Sequence, residues 1–112
     1  MVSTIKHPGV TATLTEEPTN VSSDAQVQLN SSYRNYTFIA IRFSSASNNP
    51  SSFRGNLVVP VYLLSTGAFY PLAVGTTTGY VRISNVSGDD TKIRVVNTDF
   101  VSLYVIGVYG CS

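Results

Sequence analysis

The side chains that could do chemistry are few, and they stand apart. His7, the only histidine, lies in His7-Pro-Gly9, a turn near the N-terminus. Cys111, the only cysteine, lies one residue from the opposite end. A nucleophile–base pair or a metal cluster needs partners held on a common scaffold, and this spacing offers none. With one cysteine there is no intrachain disulfide, and Cys111 reads as a terminal thiol. Glu16-Glu17 and Asp89-Asp90 are adjacent carboxylates. Neighbours in an extended chain point to opposite faces, so neither pair makes an acid/base couple. Gly88-Asp-Asp90 has too few oxygen donors for calcium and reads as a hairpin turn. There is no phosphate-binding glycine loop, no G-x-S-x-G elbow and no C-x-x-C. The expectation is a non-enzymatic protein with no catalytic residue, no metal and no cofactor. Sequons start at Asn20, Asn30, Asn35 and Asn85, an excess too small to argue glycosylation in so Ser- and Thr-rich a chain.

Aromatic residues beside arginine are the stronger lead. Tyr33-Arg34 precedes an apolar run, and Phe53-Arg54 closes a polar one. Aromatics on strands are usually core or cross-strand partners. Those in loops, paired with a guanidinium, suit recognition of sugars or proteins. The candidate contact residues are therefore Tyr33, Arg34, Asn48, Asn49, Phe53, Arg54, Phe69 and Tyr70.

The elements that must position them are strands. Val10–Thr15 and Ala25–Leu29 alternate apolar and polar, with Glu16–Asn20 as the turn between them. Tyr36–Phe43 is apolar on both faces, with Thr37, Ile39, Ile41 and Phe43 on one side and Tyr36, Phe38, Ala40 and Arg42 on the other. Ser44–Gly55 is a polar loop long enough to imply a purpose. Leu57–Leu64 is a further apolar run, and Pro60 within it marks an edge or bulge. Ser65–Gly67 turns into Ala68–Ala73, and Thr76–Gly79 turns into Tyr80–Ser84. Ser87–Asp90 then turns into Thr91–Val96. The final run, Leu103–Gly110, is again apolar on both faces. Strict alternation sets Val101, Leu103, Val105 and Tyr109 against Tyr104, Ile106 and Val108. No window of 11 residues has helical periodicity.

These runs predict an all-β protein, an antiparallel, jelly-roll-like β-sandwich of about eight short strands. Residues 1–32 read as N-terminal strands or as the lead from a preceding shaft, and 33–112 as the sandwich, one domain overall. At 112 residues the chain can bury a core without staples. Tyr36–Phe43 and Leu103–Gly110 are expected in the middle, as neighbours. Each sheet has one inner face, so their second apolar faces need another cover. Oligomerisation supplies it, with Tyr36, Phe38, Tyr104, Ile106 and Val108 as interface candidates.

Composition agrees. Charged residues are 12%, about half the usual share, and Ser, Thr and Asn make up about a third of the chain. A polar, nearly uncharged surface suits life outside the cell or packing against copies of itself. The net charge of +1 and the scattered arginines argue against nucleic acid as a partner. No run approaches a membrane span, and residues 1–9 lack the apolar segment of a secretion signal.

The order of the pieces resembles a C-terminal module of bacteriophage tail fibres and related tail proteins. A Tyr-containing turn leads into an apolar strand, Ser31–Phe43. A polar loop and a Val-Pro-Val strand follow, Val59–Leu64. Then come an exposed aromatic segment, Phe69-Tyr70, an alternating hairpin, Tyr80–Val96, and a closing strand ending in Tyr-Gly, Val105–Gly110. The resemblance covers residues 31–110. It departs at Cys111-Ser112, where the module usually ends on an apolar or basic residue. It implies a homotrimer at a fibre tip, located in the virion tail, whose partners are a host surface polysaccharide or protein and other tail proteins. A free-standing carbohydrate-binding or adhesin-like sandwich and a virion structural or decoration protein are the other classes the residues allow.

Overall fold

Two-residue alternation of buried and exposed side chains runs through most of the chain. It is the signature of strands with one face on a core. The computed structural model describes residues 11–47 and 54–112. In chain order the strands are β1 Thr11–Thr15, β2 Thr19–Asn20, β3 Asp24–Gln28, β4 Phe38–Ser44, β5 Arg54–Pro60, β6 Phe69–Val74, β7 Thr77–Val86, β8 Asp89–Asn97 and β9 Tyr104–Cys111. Two 3₁₀ segments interrupt them, Tyr33–Asn35 and Val61–Thr66.

The strands form two antiparallel sheets packed face to face, so the protein is a β-sandwich. The first sheet runs β1-β9-β4-β5, with β2 also pairing β9; the second runs β3-β8-β7-β6. β1 with β9 and β3 with β8 nest the start of the chain against its end, which is the jelly-roll-like part. β4–β5 is a hairpin and β6–β7–β8 a meander. Residues 11–32 therefore supply an edge strand to each sheet. As expected, the two doubly apolar runs are central neighbours, β4 and β9.

Their register contains a bulge. Arg42 pairs with Gly107 and Phe43 with Val105, which leaves Ile106 as an extra residue on β9. An inserted residue reverses the alternation beyond it. Leu103 and Val105 point inward before the bulge, and Val108 points inward after it; all three are fully buried. Val108 thus leaves the outer face to which strict alternation assigns it and joins the core. With it lie Ile39, Ile41 and Phe43 of β4, Val59 of β5, Val81 and Ile83 of β7, and Ile93 and Val95 of β8. Burying each such side chain contributes about 1.5–3 kcal/mol.

Several boundaries move from their expected places: β4 starts at Phe38 and runs to Ser44, and β5 starts at Arg54, so both ends of the expected Ser44–Gly55 loop belong to the β4–β5 ladder. The strand expected over Leu57–Leu64 stops at Pro60, the last residue of an edge strand. Pro60 has no N–H for the ladder, and the next residues wind into the 3₁₀ segment. That segment ends at Gly67, whose φ of 62° is a left-handed cap. The turn expected at Thr76–Gly79 lies earlier, at Gly75-Thr76, because Gly75 carries the positive φ of 62° and β7 begins at Thr77.

Asn97 ties together two of the four chain crossings between the sheets. Its Nδ2 donates to the Ser22 carbonyl at 3.1 Å and the Phe100 carbonyl at 2.9 Å. Its Oδ1 accepts from the N–H groups of Asp99 and Phe100 at 3.1 and 2.8 Å. Ser22 lies on the β2-to-β3 crossing and Phe100 on the β8-to-β9 crossing. The Ser22 hydroxyl also accepts the Leu103 N–H at 3.1 Å.

Candidate functional site

One end of the sandwich holds a cleft of about 350 Å³. It is built where the two 3₁₀ segments converge on the end of β7. Ser32 Oγ accepts the Arg34 N–H at 3.0 Å and so starts the first segment. The Tyr36 N–H closes it on the Tyr33 carbonyl at 3.1 Å. Thr37 then bridges both neighbours: its N–H donates to the Cys111 carbonyl and its own carbonyl accepts the Val61 N–H, each at 2.9 Å. This fixes the second segment beside the first.

The lining is aromatic below and polar at the sides. Tyr33 is buried in the core cluster and forms part of the wall. The Arg34 guanidinium lies 5.6 Å from the Tyr33 ring centroid and 3.7 Å from the Asp90 carboxylate. The Tyr36 ring packs against Gly110, where any Cβ would collide with it. Opposite stands Tyr62, 76% exposed. Val61, Leu64, Ser65 and Asn85 complete the lining, in which Arg34 is the one charged residue.

The expected contact residues divide. Tyr33 and Arg34 reach the cleft, Tyr33 with its ring mostly enclosed. Phe69 does not; it is exposed on the outer face of the second sheet, paired with Arg82 and two residues from Pro71, which pairs with exposed Tyr80. Tyr70 points inward against the core. Its hydroxyl is buried without a hydrogen-bond partner, and burial, with Tyr62 nearby, pushes its pKa up. Arg54 sits on β5 opposite Ser44. Asn48, Asn49 and Phe53 lie outside the described residues. Tyr62 and Asn85 were not expected. Tyr62 falls inside a run that reads as a strand; the signal for it was Pro60 followed by a glycine stop at Gly67.

The interface candidates divide as well. Phe38 lies on the outer face of the first sheet, pairing with Pro60 on one side and Cys111 on the other; Ala40 pairs with Val58 and Tyr109. Phe38 and Val58 are 40% and 59% exposed. Ile106 also faces outward but is already buried within the chain, and Tyr104 is half-buried, accepting from the Asn20 amide at 3.5 Å. Tyr36 belongs to the cleft and Val108 to the core. Further along this face, the Tyr109 hydroxyl donates to Glu16 at 2.7 Å, and the Arg42 guanidinium lies 5.6 Å from the Tyr109 ring centroid. Burial and the Glu16 carboxylate push the Tyr109 pKa up.

Among the described residues no cluster of His, Cys, Asp or Glu could hold a metal ion. Cys111 is a half-buried free thiol. Asp89 accepts the N–H and hydroxyl of Thr91 at 2.9 and 2.6 Å, a cap at the start of β8. Compared with protein-family models, curated proteins and solved structures, the chain matches none.

Proposed function

We propose that this chain is a non-enzymatic tip module of a bacteriophage tail fibre that assembles as a homotrimer and attaches to a polysaccharide or protein on a host cell surface. The observation that carries this reading is the outer face of the first sheet. Phe38 and Val58 lie there on adjacent strands, substantially exposed, with Ala40 and Pro60 between and beside them. Apolar area left in water forgoes about 25 cal/mol per Å². Around a three-fold axis the same face of three copies meets, and that area is covered. The sequence resemblance to tail-fibre tips points the same way.

The test is mass in solution, by size exclusion with light scattering, together with adsorption to a panel of bacterial envelopes. A trimer is expected, and Phe38→Ser with Val58→Ser should shift it toward monomer. A wild-type chain that is monomeric at every concentration overturns the trimer. One that adsorbs to no envelope overturns the attachment role.

A further inference from the structure

We propose that the cleft between the 3₁₀ segments is a subsite for a single sugar ring bearing an anionic substituent, a uronic or sialic acid residue of a surface glycan. This rests on the attachment reading and narrows it to a site and a ligand class. A pyranose has an apolar face of C–H bonds and a rim of hydroxyls. It needs an aromatic platform open to solvent and polar groups around it. Tyr62 supplies the platform. Its ring is 76% exposed, although it belongs to a segment whose Leu64 is buried. The exposed ring borders the cleft and leaves a face open for a sugar to stack on.

The opposite wall is rigid. Tyr36 is held against Gly110, and Thr37 is clamped by backbone hydrogen bonds on both sides. The volume, about 350 Å³, lies at the small end of the range for ligand pockets and suits one ring better than an extended chain. Asn85 and Ser65 offer an amide and a hydroxyl to sugar hydroxyls.

The charge decides the kind of sugar. Arg34 is the only ionic residue among those lining the cleft. Its guanidinium is flanked by Asp90 at 3.7 Å, a loose contact between exposed groups that engages few of its five donors. A carboxylate on the sugar can take the rest in a charge-assisted pair. A peptide could also place a carboxylate there, but the cleft lacks the exposed strand edge or long apolar groove that peptide recognition uses.

Saturation-transfer NMR on the full chain tests this with matched pairs: glucose and glucuronate, galactose and galacturonate, and N-acetylneuraminate beside N-acetylmannosamine. The acidic member of at least one pair should bind, about tenfold tighter than its neutral partner, and adding salt should narrow that gap. Tyr62→Ala and Arg34→Gln should each weaken binding about tenfold, corresponding to about 1.4 kcal/mol. Both side chains are exposed, so neither change endangers the fold. Phe69→Ala, exposed on the outer face of the second sheet and not part of the cleft lining, should leave binding unchanged. No binding across the panel overturns the subsite, as does binding that ignores Tyr62→Ala or responds equally to Phe69→Ala. A preference for short acidic peptides over every sugar also overturns it. Envelope adsorption separates the two readings. Adsorption that persists with a negative panel removes the subsite alone, whereas absent adsorption removes the attachment role itself.

Discussion

Replacing Asn97 should show how much of this sandwich hangs on one buried amide. Asn97 is 6% exposed, and its side chain uses both donors and both acceptor positions on backbone groups of two separate crossings. Asn97→Ala strands four of those groups. The two on Phe100 are buried and cannot reach water; those on Ser22 and Asp99 are partly buried and can. A buried group left without a partner costs about 1–3 kcal/mol, so the two on Phe100 set an expected loss of about 3–4 kcal/mol. That is a large share of the roughly 5–15 kcal/mol available to a domain. Asn97→Asp sharpens the test. The carboxylate keeps both acceptor contacts but sets an oxygen against the Ser22 and Phe100 carbonyls. Folding should therefore raise its pKa above the ordinary value of about 3.9. A raised folded pKa means that the variant is closest to wild type below the unfolded value and loses stability as pH rises through the folded one. Urea unfolding followed by far-UV circular dichroism, at fixed protomer concentration, reads both effects. A loss below about 1 kcal/mol in Asn97→Ala, or an Asn97→Asp variant as stable at pH 7 as at pH 4, would refute the accounting.

Three further outcomes follow from particular contacts. Gly55→Ala should cost at least about 2 kcal/mol in the same unfolding assay, because its Cβ would meet the Ala73 carbonyl where β5 crosses β6. Tyr70→Phe should raise stability by about 1 kcal/mol, since it removes a buried hydroxyl that has no partner; a loss would show that the hydroxyl is satisfied. Arg94 holds the Asp24 carboxyl below its ordinary value, and the Thr91 hydrogen bonds do the same for Asp89. Lowered folded pKa values contribute stability that is present above about pH 4 and lost as pH falls through the folded values. Asp24→Asn combined with Asp89→Asn should flatten this acid limb of a thermal-melting profile against pH.

Much of the architecture was legible in local pattern. Alternation grouped Ala25, Val27 and Leu29, and likewise Ile39, Ile41 and Phe43, on single faces, and those faces are the ones that meet the core. Apolar residues on both faces of β4 and β9 identified the central pair. The site was legible only in part. Tyr33-Arg34 was found because an aromatic beside a guanidinium outside a strand is unusual. Tyr62 was hidden because Val-Pro-Val-Tyr-Leu-Leu has the composition of a strand, and only the ladder partner shows that pairing ends at Pro60.

By itself the sequence determined the class of fold, the strands that lie at its centre and the scarcity of catalytic groups. Those depend on side-chain period and on residue type, which are local properties. Tertiary structure decided the rest. A single extra residue at Ile106 turned Val108 from the outer face to the core, and the bulge exists only through the register of β9 against β4. The cleft joins residues 33–37 to 61–65 and 85; the Val61 N–H donates to the Thr37 carbonyl, and the Thr37 N–H donates to the Cys111 carbonyl at the end of β9. Register and convergence are relations between segments, and local periodicity carries no record of them.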